Sequence, residues 1–422
     1  MSVNAPLFTV PITKRPPHGP LFSKIFFPSM FILGLLGINS AQILLLPLQA
    51  FGPKGRELFD HGIGWTKDGF GRLLIVITVL FAPTSLVLTT DGSPSIADLV
   101  ERDAAGEMVR INLPDRLVLM ANHQAYTDWM YLWILSAYAG HSKGIIILLK
   151  ASLRGIPIVG WGMRFFHFVF LSRSWAADRI NLTLALTDLG KQAKAVTGGK
   201  RNPLWLLIFP EGTITSDEER AKSKRYAERE GVDDFVTTLH PRSTGLLFCL
   251  RTLLPEIPDL QLLDITIGYP GVPYGGYPQE WYGLLSVFFR SVPPPTVHLH
   301  LRLYSNLASP DSGIPSLLTA SDEEGLAPPA DAKKFELWLR ERWTEKEMRM
   351  RGFFTAKKFV SEEGSDLMEI VPVKQLSVPS AFALPCKLTD VFLPQEMVSL
   401  DRGIRRRRAG HGGCRRVGPL AR

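Results

Sequence analysis

The stretch Asn122-His123-Gln124-Ala125-Tyr126-Thr127-Asp128-Trp129 sets a histidine five residues before an aspartate. The histidine closes RLVLMANH, which reads as a buried strand running into a turn, and the aspartate stands where TDWMYLWILSAYAG begins as a helix. A chain that turns between them can bring the carboxylate back onto the imidazole. A carboxylate on one ring nitrogen fixes the tautomer and raises the basicity of the other, which can then take a proton from a hydroxyl or from water. The same two positions also suit a purely structural role, because Thr127 or Asp128 can cap the helix. A second polar group, Phe209-Pro210-Glu211-Gly212-Thr213, follows the apolar strand LWLLI. If both strands end on one sheet edge, His123, Asp128 and Glu211 form a polar cluster on an apolar platform. Strand C-termini in α/β sheets are where ligands usually bind.

Elements that could position this cluster alternate along the chain. GIIILLK (144–150), FVFLSR (168–173), PLWLLIFPEG (203–212), LLDITIGYP and VHLHLRLY (297–304) read as strands. WAADRINLTLALTDLGKQAKAVTG and TGLLFCLRTLLPE read as helices, while DEERAKSKRYAEREGVDD is a charged stretch without an assigned element. The alternation predicts an α/β fold, a central mixed sheet flanked by helices, preceded by two N-terminal membrane helices. The expected organisation is an N-terminal segment 1–24, proline-rich and loose, a two-helix membrane region 25–92, and a catalytic domain 93–305. A linker 306–330, an amphipathic helix 331–354 and a mostly disordered basic tail 355–422 follow. Phe335, Leu339 and Trp343 share one face of the late helix, which favours packing on the domain over a membrane surface.

The membrane expectation comes from composition. Hydrophobic residues make up 45% and charged residues 21% of 422, which excludes a wholly disordered or collagen-like chain. Mean hydropathy is +0.08, high for a water-soluble protein. Residues 25–50 and 73–90 carry no charge. As helices they measure about 39 Å and about 27 Å against a hydrocarbon core of about 30 Å. Pro28, Pro47 and Pro83 bend them, which suits two tilted spans or a re-entrant hairpin. Asn39 and Gln42 call for a partner helix. Lys14, Arg15 and Lys24 ahead of the first run place the N-terminus, and hence the catalytic domain, on the cytosolic side.

Charge and cysteine content exclude other classes. The net charge of +8 equals the eight arginines between 402 and 422, so the rest is formally neutral and no nucleic-acid partner is expected. The arginine tail reads as a solvated segment, with anionic lipid as its other reading. Cys249, Cys386 and Cys414 are far apart, which gives neither a disulfide framework nor a zinc cluster.

Taken in order, NHQAYTDW, KASLRGIPIVGWGMRFFHFVFLSR, LLIFPEGT and DITIGYP resemble the glycerophospholipid (lysophospholipid, 1-acylglycerol-3-phosphate) acyltransferases from about residue 116 to 270. SKRYAEREGVDDF, LHPRSTG and the two apolar N-terminal segments resemble the eukaryotic membrane branch, which acylates lysophosphatidate and lysophosphatidylinositol. The resemblance implies an acyl-CoA-dependent lysophospholipid acyltransferase at a lipid bilayer, that of the endoplasmic reticulum. It implies His123 as general base and Asp128 as its orienting partner. Glu211 would bind or orient the acceptor, Gly212 and Thr213 amides would hold an anion, and Arg173 would pair with a phosphate. Acyl-CoA is then a co-substrate; no cofactor, metal or covalent acyl-enzyme is implied. One position departs from the pattern. Many lysophosphatidate acyltransferases have arginine directly after EGT, and here it is Ile214. Lys150, Arg173 or Arg242 would supply the charge, and the loss favours an acceptor with a larger head group such as lysophosphatidylinositol. Two other readings stand beside this one, a lipid esterase and an inactive lipid-binding adaptor of the same fold. The absence of a G-x-S-x-G elbow counts against a serine hydrolase.

Overall fold

The computed structural model describes residues 5–92, 94–172, 174–197, 200–318, 327–359 and 368–373. Eight strands form one mixed sheet: β1 (Ser85–Thr90), β2 (Arg116–Ala121), β3 (Ile145–Lys150), β4 (Val169–Leu171), β5 (Leu204–Ile208), β6 (Gln261–Gly268), β7 (Thr296–Tyr304) and β8 (Met368–Pro372). Their spatial order is β8-β1-β7-β6-β2-β5-β3-β4. β6, β2, β5, β3 and β4 run parallel; β7 is antiparallel to β6 and parallel to β1, and β8 is antiparallel to β1.

Helices cover both faces, which is why β2 and β5 read as unbroken apolar runs without polar alternation. The strand period of two still divides their side chains. Leu117, Leu119 and Ala121 enter a core with α1 (Leu21–Leu45), α2 (Gly52–Phe81) and α3 (Asp128–Tyr138). Val118 and Met120 enter the opposite core with α5 (Trp175–Lys194), α7 (Ser243–Leu253) and α8 (Pro329–Ala356). Between them in sequence lie α4 (Val159–Phe165) and α6 (Asp217–Glu230).

α1 and α2 form an antiparallel pair. Gly34 of α1 meets Leu73 of α2, and Leu45 meets Gly62. Asn39 donates to the carbonyl of Ile158 at 2.8 Å and Gln42 to the hydroxyl of Thr66 at 3.4 Å, so both amide side chains of the apolar helix place an N–H on a partner, while their oxygens have none among the described residues. The other side of α1 leaves Leu21, Ile25, Phe26, Leu33, Leu36 and Leu44 exposed.

The expected second membrane helix over 73–90 does not form. Pro83 ends the helical run, Leu74, Ile75, Ile77 and Phe81 are buried on the domain, and 85–90 becomes β1, an interior strand of the sheet. The first half of α2 carries charges throughout, which leaves one long apolar N-terminal stretch where two spans were expected.

The N-terminal segment is not loose where it is described. The buried Arg15 guanidinium donates to the carbonyls of Val10 (2.7 Å) and Trp281 (2.8 Å) and to the Ser286 hydroxyl. The charged stretch after the FPEGT turn is α6. Ser216 accepts from the amide of Glu219 at its start, and Gly231 in the left-handed region closes it. Within the expected linker, Leu307, Ile314 and Leu317 are buried against the second core. α8 packs Phe335, Leu339 and Trp343 into that same core. In the expected disordered tail, 368–372 supplies β8; residues 374–422 lie outside the described residues.

Candidate active site

β2 delivers His123 to the C-terminal edge of the sheet. The strand exit is fixed by Asn122, whose amide donates to the carbonyl of Ile267 at 3.0 Å and accepts from its N–H at 2.7 Å. The chain then turns through 122–127 into α3, and the turn is tied to Asp128. This fully buried carboxylate accepts four hydrogen bonds. Oδ2 takes the amides of Gln124 (2.6 Å) and Ala125 (3.0 Å) and the imidazole Nδ1 of His123 (2.9 Å). Oδ1 takes the hydroxyl of Tyr269 at 2.6 Å.

A carboxylate with four donors around it can only accept, so Nδ1 of His123 carries the proton and Nε2 is left with its lone pair. The ring stacks on Phe209 with centroids 4.1 Å apart and stays 16% exposed, so the imidazole is held flat yet reachable. The pair therefore has the tautomer, the orientation and the access that a general base requires. Helix capping accounts for none of these three, since α3 has no side-chain cap bond from Thr127.

Glu211 follows the end of β5, the strand beside β2, and so reaches the same edge. It is 2% exposed, and its Oε1 accepts from the indole N–H of Trp343 at 3.0 Å. Burial pushes its carboxyl up to about 8, against which the Trp343 bond and nearby main-chain amides act only in part. Burial thus favours the neutral acid, and the group is turned into the protein, behind the turn that precedes Gly212. Gly212 adopts φ +75°, in the left-handed region, and its amide donates to the carbonyl of Phe209 at 2.9 Å. Gly212 is exposed, with Thr213 and Ile214 half-buried beside it.

Arg242 is joined to this turn through its amide, which donates to the carbonyl of Pro210 at 2.9 Å. Its exposed side chain passes 4.0 Å from where a Cβ on Gly212 would stand, and its guanidinium has no ion-pair partner among the described residues. Lys150 ends β3 and is exposed on the same sheet edge, beyond β5. Arg173 lies outside the described residues.

Sequence reasoning missed the residues that hold this cluster from behind. Tyr269 falls within DITIGYP, but only the fold brings its hydroxyl to Asp128. α8 contributes Trp343, Lys346 and Glu347, which share one helix face by their spacing. The Glu347 carboxylate accepts the amides of Val236, Thr237 and Thr238 at 2.9 to 3.2 Å. The carbonyl of Thr237 in turn accepts from the Gln124 side chain at 3.0 Å. Buried Lys346 pairs with Asp264 and donates to the carbonyl of Ile265 at 2.7 Å. The apolar stripe of α8 was legible; these polar residues between its apolar ones gave no signal of their own.

Comparison with known proteins gives the family of the chain. A family model described as Acyltransferase matches residues 108–269, which span β2 through β6. The chain is 32% identical over 359 residues to 2-acyl-1-lysophosphatidylinositol acyltransferase of Saccharomyces cerevisiae, covering 79% of this chain and 85% of that one. It is 32% identical over 352 residues to lysocardiolipin acyltransferase 1 of Gallus gallus, covering 82% and 75%. It is also 32% identical over 193 residues to probable 1-acyl-sn-glycerol-3-phosphate acyltransferase 5 of Arabidopsis thaliana, covering 46% of each. With a histidine and its aspartate at the head of the matched segment and relatives aligned along most of its length, the chain belongs to the glycerophospholipid acyltransferase family of enzymes.

Proposed function

We propose that this acyltransferase moves a fatty acyl group from acyl-CoA to a free glycerol hydroxyl of a lysophospholipid, with His123 as general base. The observation that carries the reading is the 2.9 Å bond from Nδ1 of His123 to Asp128, which leaves Nε2 basic and accessible. Nε2 takes the hydroxyl proton as the oxygen attacks the thioester carbonyl carbon. The tetrahedral intermediate collapses, the C–S bond breaks, and the thiolate of CoA recovers the proton from the imidazolium. Asp128 stabilises that imidazolium while it lasts. The amide of Thr213, on the turn that Gly212 shapes while its own amide stays bonded to Phe209, and the guanidinium of Arg242 beside it offer contacts for the phosphate of the acceptor. Lys150, at the end of β3 along the same sheet edge, would add charge beyond the turn itself. Glu211 supports the turn from beneath.

The acceptor follows from the charge at the turn. Ile214 offers no bidentate contact, and Arg242 is the nearby cation. One guanidinium suits a singly charged phosphodiester better than a terminal dianion. We therefore assign lysophosphatidylinositol ahead of lysophosphatidate. Relatives whose names specify lysophosphatidylinositol and lysocardiolipin as substrates support the same choice.

The exposed apolar side of α1, in a stretch of mean hydropathy 1.9, supports insertion into a bilayer. We assign it to the endoplasmic reticulum with the catalytic domain on the cytosolic side. The deciding experiment measures kcat/KM with both acceptors for the wild type and Ile214→Arg, with acyl-CoA as donor. Activity at least as high with lysophosphatidylinositol, and a gain on lysophosphatidate in the variant, supports the reading. A strong wild-type preference for lysophosphatidate, unchanged by the substitution, overturns the acceptor assignment. Hydrolysis without transfer would instead reveal an esterase, and neither reaction an adaptor.

A further inference from the structure

A cavity of about 680 Å³ lies at the sheet edge opposite His123. It is lined by residues around the starts of β3 and β5, among them Gly144 and Leu204, whereas the catalytic residues follow the ends of parallel strands. The first half of α2 and the end of α5 form its other walls. Four cations line it, Arg56, Lys67, Lys143 and Lys191, against two carboxylates, Glu57 and Asp60.

Lys67 is the informative one. It is 4% exposed, and its ammonium has no hydrogen-bond or ion-pair partner among the described residues. A buried ammonium left alone is costly and tends to shed its proton, and an anion bound beside it favours the charged form again. The side chains of Arg56, Lys143 and Lys191 likewise form no ion pair among the described residues, and all three are exposed. One deep cation with three outer ones is the arrangement that multiply charged oxyanions select, the arginine adding a planar fork. The volume exceeds what a bare phosphate needs and accommodates an organic body attached to it. Leu46 and Phe51, exposed in the connection between α1 and α2, flank Gln49 of the cavity wall, next to the apolar side that α1 presents.

We propose that this cavity is a second anion site, taking the phosphate of a phosphorylated ligand, with Lys67 as its buried anchor and Arg56, Lys143 and Lys191 as outer contacts. Two sources present that chemistry, a phospholipid head group or a soluble phosphate. The site is separate from the acyl-transfer centre and does not depend on the acceptor assigned above.

Full-length protein in neutral-detergent micelles is titrated calorimetrically with inorganic phosphate, with short-chain phosphatidate, and with short-chain phosphatidylcholine as the reference. The expected result is saturable binding of phosphate or phosphatidate that Lys67→Met weakens by about tenfold or more, the scale of a lost charge-assisted bond. Arg242→Gln should leave this event in place. Binding of phosphatidate alone assigns the lipid source, and binding of inorganic phosphate assigns the soluble one. If Lys67→Met fails to fold, Lys143→Gln with Lys191→Gln on the exposed rim decides, with a weakening of at least severalfold expected. No binding of either anion, or binding that Arg242→Gln abolishes and the cavity substitutions leave unchanged, overturns the proposal.

Discussion

The indole N–H of Trp343 donates to Oε1 of Glu211 at 3.0 Å, across 132 residues of sequence. Trp343 stands well beyond residue 269, where the family match ends, and Glu211 stands inside the FPEGT turn. Glu347 and Lys346, on the same face of α8, bind the 236–238 backbone and β6. The late helix is thus the rear wall of the site, and the matched segment alone does not complete it.

Trp343→Phe keeps the aromatic volume and removes the donor. The buried Oε1 then loses its partner, which costs about 1–3 kcal/mol. Denaturant unfolding should show that loss. Single-turnover rates should fall further than stability requires, because the turn bearing Gly212 loses its support.

Glu211 gives stability a specific pH dependence. Its folded carboxyl titrates near 8 and an unfolded glutamate near 4.5. Between those values the folded state holds a proton that the unfolded state has released. Stability therefore falls as pH rises from about 4.5 to 8, by at most about 1.4 kcal/mol per pH unit, and is flat in this group beyond. Glu211→Gln keeps the acceptor for Trp343 and has no proton to lose. The difference in unfolding free energy between variant and wild type should grow in the variant's favour over that window. A pH-independent difference would show that Glu211 is charged when folded.

His123→Ala should lower acyl transfer by roughly 10²–10⁴ while the protein still accumulates in membranes. Activity near the parent level in a background free of other acyltransferases would remove His123 from the mechanism.

Tyr269→Phe removes one of the four donors to Asp128 and leaves the imidazole bond in place. A stability loss of about 1 kcal/mol is expected. The rate loss should be much smaller than for His123→Ala. Asp128→Asn should be more severe, because its amide must point a donor at one of the donors already present. Equal effects of the two substitutions would contradict this order.

The exposed face of α1 can be tested without touching the core. Leu33→Asp with Leu44→Asp alters side chains that are 67% and 78% exposed. The double variant should fold and should leave the membrane pellet under alkaline carbonate washing more readily than the wild type. Unchanged retention would transfer the anchoring role to another surface.

Legibility in the sequence followed contact range. β2, β3 and β5 were readable because each holds a run of consecutive apolar residues, Leu117–Ala121, Ile145–Leu149 and Leu204–Ile208, as strands covered on both faces do. His123 and Asp128 were readable because they stand only five residues apart across one turn. β1 was hidden because it continues an uncharged run begun by the end of α2, and Pro83 was the one mark of the change. α6 lacks an apolar stripe, although Ser216 and Gly231 bracket it. Tyr269 and Trp343 reach the site through partners more than a hundred residues away, and no local pattern encodes that.

β1 lies between β7 and β8 in the sheet, and Thr89 meets His300 of β7 across 211 residues. This spacing sets an order for synthesis. At about 5–20 residues per second, the ribosome takes roughly 10 to 40 s to deliver β7 after β1 has emerged. Through that interval α1 is already available to a membrane, while the edges of β1 have no strand to pair with. An unpaired apolar strand is a site for association with other chains. Holding the first helix at a membrane, or covering β1 with a chaperone, would protect that edge until residue 304 is made. Mutations that slow β7 formation should show up as lost yield before they show up as lost activity.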